Sequence, residues 1–317
     1  MWTANALAIL AALSYYDDDH TASFVDLSGT TIRAGGGGAA NDYINGTIVV
    51  RAGSGTTPPT VADYKLEEEI NGLSYACDSK SINSSATSNF DFIAIGSTVA
   101  TNTTNHPVTI TELIWRSYYG NHYICLAREV IEPIVLQPGE ATVLNMKFGS
   151  DKIFSYNLYS GIGAIFSLGW WTYRSKDGTT YSSQSAASST KDAIYQHRRG
   201  VAVNSRIFVG SGTKIPDALD LWLDNELTDI SYSGATTTLK YSRDDIINSG
   251  GYFLSKSILV TNTSSETKNI NEIALCNSAM YILSNKTVPV FFCREVLDEP
   301  IILEPGESVS LSMSLRV

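Results

Sequence analysis

Apolar and polar residues alternate along much of this chain. In SVSLSMSLRV, Val309, Leu311, Met313, Leu315 and Val317 fall on one face, and Ser308, Ser310, Ser312, Ser314 and Arg316 on the other. That period of two predicts a strand with one side in a core and the other in water. Further strands are predicted in NFDFIAIGSTVATN from Asn89, TITELIW from Thr109, NHYICLAREV from Asn121, GYFLSKSILVTN from Gly251 and VPVFFCREV from Val288. β-Branched and aromatic residues fill these runs, and turn formers separate them. A short helix is predicted at the start of each unit, resting on Asn5–Asp17, rich in Ala and Leu with Thr3 or Asn5 as a cap. DYKLEEEI and DALDLWLDNEL predict a short helix or turn, with Asp63 and Asp217 at cap-like positions after a proline.

The pattern occurs twice. DLSGTTI from Asp26 returns as SKDGTTY from Ser175, and VRAGSGTTPPTVADYKLEEEI from Val50 as IFVGSGTKIPDALDLWLDNEL from Ile207. VATNTTNHPVTITEL from Val99 returns as LVTNTSSETKNINEI from Leu259, and REVIEPIVLQPGEATV from Arg128 as REVLDEPIILEPGESV from Arg294. Matched positions lie about 150 to about 166 residues apart, a domain-sized period and not that of a solenoid. The chain therefore reads as a duplicated unit, residues 1–150 and 151–317, with a short seam near Gly149–Ile153.

In LQPGEA and LEPGES, Pro138 or Pro305 suits the second position of a turn, and Gly139 or Gly306 supplies the positive φ that a type II turn needs next. Type II turns match a tight hairpin poorly, so each predicts a corner that hands the chain from one sheet to another. Pro133 and Pro300 are expected at a strand start or edge, where no ladder N–H is lost. Short strands, many turns and one short helix opening each unit give an all-β class: two tandem β-sandwiches, Ig-like or jelly-roll-like.

Charge narrows the function. A formal charge of −10 and a pI near 4.9 disfavour nucleic acid, whose phosphates need clustered Lys and Arg. His197–Arg199 is the one basic knot and reads as a surface loop. Cys77, Cys125, Cys276 and Cys293 form no CxxC and read as reduced and partly buried. Ser and Thr make up roughly a fifth of the chain, above ordinary usage. The sequons at Asn45, Asn83, Asn102, Asn262 and Asn285 are therefore near chance number. The apolar run Ala6–Leu13 lacks the basic n-region of a signal peptide and is too short to span a bilayer, so no membrane role is expected.

No catalytic constellation stands out, and no cofactor or metal is expected. Asp17–Asp19 with His20 lack the spaced loop of a cation site, and Glu67–Glu69 read as a solvated face. Gly35–Gly38 has no following Lys-Ser/Thr, and GSGTK from Gly210 is too short for a phosphate loop. One polar pair is duplicated: Glu112 with Arg128, and Glu272 with Arg294, each on neighbouring strand-like runs. A half-buried carboxylate needs a partner, so each pair reads as a structural salt bridge with a bidentate bond. Trp115, Tyr118 and Tyr119 are candidate interface anchors.

The ordered set GSGTTPPTVADYKLE, TITELIW, LAREVIEPIVLQPGE and VLNMKF, repeated as GSGTKIPDALDLWL, NINEIAL, CREVLDEPIILEPGE and SLSMSLRV, resembles a family of tailed-bacteriophage virion structural proteins. The second unit departs from it at Leu219–Trp222, where DYKLE would stand. The resemblance implies a non-enzymatic particle component, in head, neck or tail. Its partners would be other virion proteins and further copies of itself, and it would assemble in the host cytoplasm. A receptor- or glycan-binding module of a tail fibre is the alternative.

Overall fold

The computed structural model describes residues 1–14, 21–35, 49–82, 94–119, 121–148, 170–184, 205–217, 220–281 and 287–316. The protein is all-β: among these residues sixteen strands outweigh two short helices. After α1 (Ala4–Ser14) come a hairpin, β1 (Thr21–Val25) with β2 (Thr31–Gly35), and then six strands in two antiparallel sheets. β3 (Val49–Gly53), β6 (Val108–Tyr119) and β7 (His122–Leu136) form one, in the order β3-β6-β7. β4 (Leu73–Ile82), β5 (Ala94–Asn102) and β8 (Ala141–Phe148) form the other, in the order β4-β5-β8.

The second half repeats this order. A hairpin of β9 (Trp170–Arg174) and β10 (Thr180–Gln184) precedes a sheet of β11 (Ser205–Gly210), β14 (Lys268–Tyr281) and β15 (Thr287–Leu303). The second sheet contains β12 (Ile230–Leu239), β13 (Tyr252–Asn262) and β16 (Ser308–Arg316), with β13 central. Between β12 and β13 lies α2 (Arg243–Asn248), whose N-cap Ser242 accepts from the Asp245 amide.

Paired details tie the two sheets of each half together. The Tyr75 hydroxyl, on β4, accepts from the Ala52 amide on β3 at 3.1 Å. Tyr232 and Val209 repeat this at 3.3 Å, and burial pushes the Tyr232 phenol up to about 12. Trp115 on β6 is buried against Gly96 on β5, where a Cβ would lie 2.8 Å from Val50 and 3.3 Å from the indole nitrogen. The expectation of Trp115 as an interface anchor is thus corrected: it fills the space a missing side chain leaves between sheets. The matched positions in the second half are Leu275 and Lys256, both buried.

The Pro-Gly corners run from β7 to β8 and from β15 to β16, each changing sheet. Gly139 and Gly306 both have φ of 78°, and the Glu140 amide donates to Gln137 O at 2.9 Å, closing a type II turn. A buried asparagine clamps each corner. Asn102 donates to Leu136 O and His106 O and accepts from the Thr104 amide and hydroxyl, and Asn262 repeats this with Leu303, Glu266 and Ser264. Two of the five sequons are therefore this clamp, with the amide nitrogen fully used. Pro133 and Pro300 lie on sheet-edge strands as expected, but inside β7 and β15, not at their starts. The register slips there, between Ile110 and Glu112 and between Ile270 and Glu272, so the ladder loses no bond to the proline.

α1 is capped by Thr3, whose hydroxyl accepts from the Ala6 amide at 3.4 Å. Asn5 is not the cap: its side chain pairs with both backbone groups of Val25. Ala4, Ala6, Leu7, Ala8, Ile9 and Ala11 are all buried, because the helix touches β7 of the first half and α2 and β13 of the second. One apolar core thus runs through both halves. The seam, Asp17–His20, Gly36–Gly38, His197–Arg199 and the sequons at Asn45, Asn83 and Asn285 lie outside the described residues.

Candidate functional site

The duplicated Glu–Arg pair is the centre of a larger polar cluster in each half. Glu112 is fully buried in β6, facing the loop that follows β3. Its Oε1 accepts from the amides of Gly55 at 3.0 Å and Glu68 at 2.9 Å, and its Oε2 from the Glu67 amide at 3.1 Å and Arg128 Nε at 2.7 Å. Four donors satisfy one carboxylate, so its charge stays buried without penalty from missing partners. Glu272 repeats the set with Gly212, Asp224, Asn225 and Arg294 Nη1, at 2.8 to 3.1 Å.

This explains the GSG motif. A Cβ on Gly53 or Gly55 would stand 2.4 or 2.6 Å from Glu112 Oε1, and on Gly210 or Gly212 2.4 or 2.5 Å from Glu272 Oε1. Glycine lets the loop backbone close on the carboxylate much as such loops close on phosphate. The anion here is the protein's own. Sequence spacing does not reveal it, because loop and carboxylate lie 57 residues apart.

Each arginine makes one bond to its glutamate, not the bidentate pair expected. The rest of the guanidinium goes to the loop: Arg128 donates to Asp63 at 2.9 Å and Glu67 at 3.4 Å, and Arg294 to Asp220 at 3.1 and 2.6 Å and to the Lys214 and Ile215 carbonyls at 3.0 and 3.4 Å. Burial pulls both arginines down, and the carboxylates outweigh it, holding them above the ordinary value. Asp220 is held low despite burial by the Asp217 amide, Arg294 and Lys214. The partner of Asp63 in the repeat is thus Asp220, and neither DYKLEEEI nor DALDLWLDNEL forms a helix among the described residues. Glu67 is not merely solvated: Thr57 bonds it through hydroxyl and amide, which keeps its carboxyl low.

Beside the first cluster, Thr57, Ala62, Asp63, Tyr64, Lys65, Leu66, Glu67 and Arg128 line a cavity of about 250 Å³. In the second half Lys214 stands where Thr57 does, and its Nζ sits 3.1 Å from Asp220 Oδ1.

The other candidate anchors lie at the β6–β7 hairpin. Tyr118 is exposed and its ring lies 5.1 Å from that of Tyr123, which Arg116 covers at 4.4 Å. The Tyr119 side chain lies outside the described residues, as do those of Trp170 and Trp171. His122 meets Asp26 at 2.7 Å, and Ser28, Thr30 and His122 outweigh burial to bring Asp26 down to about 2. None of the four cysteines is in a disulfide, and three of them are buried. Comparison with protein-family models, curated proteins and solved structures finds no match for this chain.

Proposed function

We propose that this chain is a non-enzymatic structural component of a tailed-bacteriophage particle, held in head, neck or tail by contacts with other virion proteins and further copies of itself. It would assemble in the host cytoplasm, with neither nucleic acid nor membrane as a partner. The observation carrying this reading is the use made of the motifs that resemble those virion proteins. GSGT, the Glu of TEL, the Arg of REV and PGE build the same loop clasp and sheet-changing corner twice. The buried charges spend their hydrogen bonds on holding loops in place.

The test is mass spectrometry and density mapping of purified particles from the source culture. The chain is expected in a fixed copy number with both halves ordered. Its retention in the host extract and absence from washed particles would sink the proposal. A second reading, a glycan-binding module of a tail fibre, is favoured by the exposed Tyr118 and Tyr123, whose rings offer stacking faces. Saturable binding of a host glycan, lost in Tyr123→Ala, would favour it over the first.

A further inference from the structure

From the comparison of the two halves, we infer that the cavity beside Arg128 is a binding site for a primary alkylammonium group, the head of a lysine side chain or of a free amine. The inference is independent of the particle reading. In the second half the arginine–aspartate pair already has such a group: Lys214 reaches across its loop to Asp220 Oδ1. The first half keeps the acceptor and loses the lysine. Asp63 is bound to Arg128 as Asp220 is to Arg294, but Thr57 occupies the lysine's place and turns its hydroxyl to Glu67. Thr57 lines a cavity of about 250 Å³ together with Asp63, Glu67 and Arg128.

Around Arg128 stand three carboxylates, Glu112, Asp63 and Glu67, while the Arg243 guanidinium stands to one side, donating to Ala62 O and 5.7 Å from the centre of the Tyr64 ring. The second half adds an ammonium to the corresponding set. Lys65 does not supply it, since its Nζ lies over the Tyr64 ring at 5.7 Å. Acceptor capacity remains: Asp63 Oδ1 accepts from the Thr60 hydroxyl and Glu67 Oε1 from that of Thr57, one donor each where a carboxylate oxygen takes two. The walls match the rest of such a ligand. Ala62 and Leu66 offer apolar surface to a methylene stem. The volume is below the usual range for drug-sized ligands and suits a single short chain.

The test uses the full chain with n-butylammonium chloride, with n-butanol as the neutral control of similar shape, followed by NMR shifts of the residue 57–67 amides. Saturable shifts are expected with butylammonium and not with butanol. Thr57→Lys installs the residue the second half already tolerates, so the fold should persist while affinity falls at least tenfold. Asp63→Asn should weaken binding as well. Equal binding of butanol, no saturable shift with the amine, or unchanged affinity in a folded Thr57→Lys chain would overturn the inference. Comparing the amine with the blocked tripeptide Gly-Lys-Gly separates the sources: tighter peptide binding assigns a protein lysine, and equal or weaker peptide binding a free amine.

Discussion

Gly55 donates its amide to Glu112 Oε1 at 3.0 Å, and a Cβ on that glycine would stand 2.6 Å from the same oxygen. Bond and residue type are therefore one requirement. Gly55→Ala should cost about 1–3 kcal/mol by forcing the loop off its carboxylate, and Gly212→Ala should do the same in the second half. Urea unfolding of the two variants measures it, and wild-type midpoints would contradict the clasp.

Glu112→Gln keeps the shape and removes the charge. It leaves the buried Arg128 short of a partner, a loss of about 3–5 kcal/mol when one member of a buried pair is removed. The pair Glu112→Leu with Arg128→Met should recover most of that loss. A double variant no better than Glu112→Gln alone would show that the loop amides, and not the arginine, set the cost.

Gly96 and Trp115 are complementary in size. Gly96→Ala should cost about 1–3 kcal/mol, because its Cβ would crowd Val50 and the indole. Trp115→Leu, which takes the residue at the matched position, should cost about 2–4 kcal/mol through the cavity it opens. Together they should be less harmful than their sum, and a thermodynamic cycle reads the coupling. Strict additivity would mean that the two sheets do not press on each other here.

Cys77 holds φ of 56° in the bulge between β4 and β5, where the second half has Gly234 at 61°. A side chain costs about 1–2 kcal/mol in that left-handed conformation. Cys77→Gly should therefore raise stability by up to about 1 kcal/mol after the extra chain entropy of glycine. A loss on thermal unfolding would show that the side chain makes a contact worth more than the strain.

Lys256 is buried and hydrogen-bonds Thr237, and burial, with Arg206 nearby, brings its ammonium down to about 8 from 10.5. The folded chain then binds fewer protons than the unfolded one between those values. Stability should rise as pH climbs from 8 to 10.5, and the full penalty stands below pH 8. Lys256→Met should stabilise the protein by about 1–2 kcal/mol at pH 7 and flatten that rise. Denaturation midpoints across pH 6–10.5 check both effects.

Much of this was readable from the chain alone. Alternation in SVSLSMSLR located β16, and the Pro-Gly dipeptides located corners that do change sheets. The duplicated Glu and Arg pointed to positions that do meet. Other features depend on distant partners. The role of GSG needs the carboxylate on β6, and Trp115 alternates like any strand residue until Gly96 is seen opposite. For α2 a local signal existed, Ser242 three residues before Asp245, but one short turn beside a strand pattern is easily passed over.

The corner at Pro305 has a consequence for the order of assembly during synthesis. It delivers β16 to β13, where Leu311 sits opposite Ile258, across some fifty intervening residues. While a ribosome is still making those residues, β13 has one flank bare and its apolar side only half covered. The second half should therefore remain vulnerable to proteases and to self-association until β16 emerges, and α1 of the first half, which packs on β13, stays without its settled neighbour for as long.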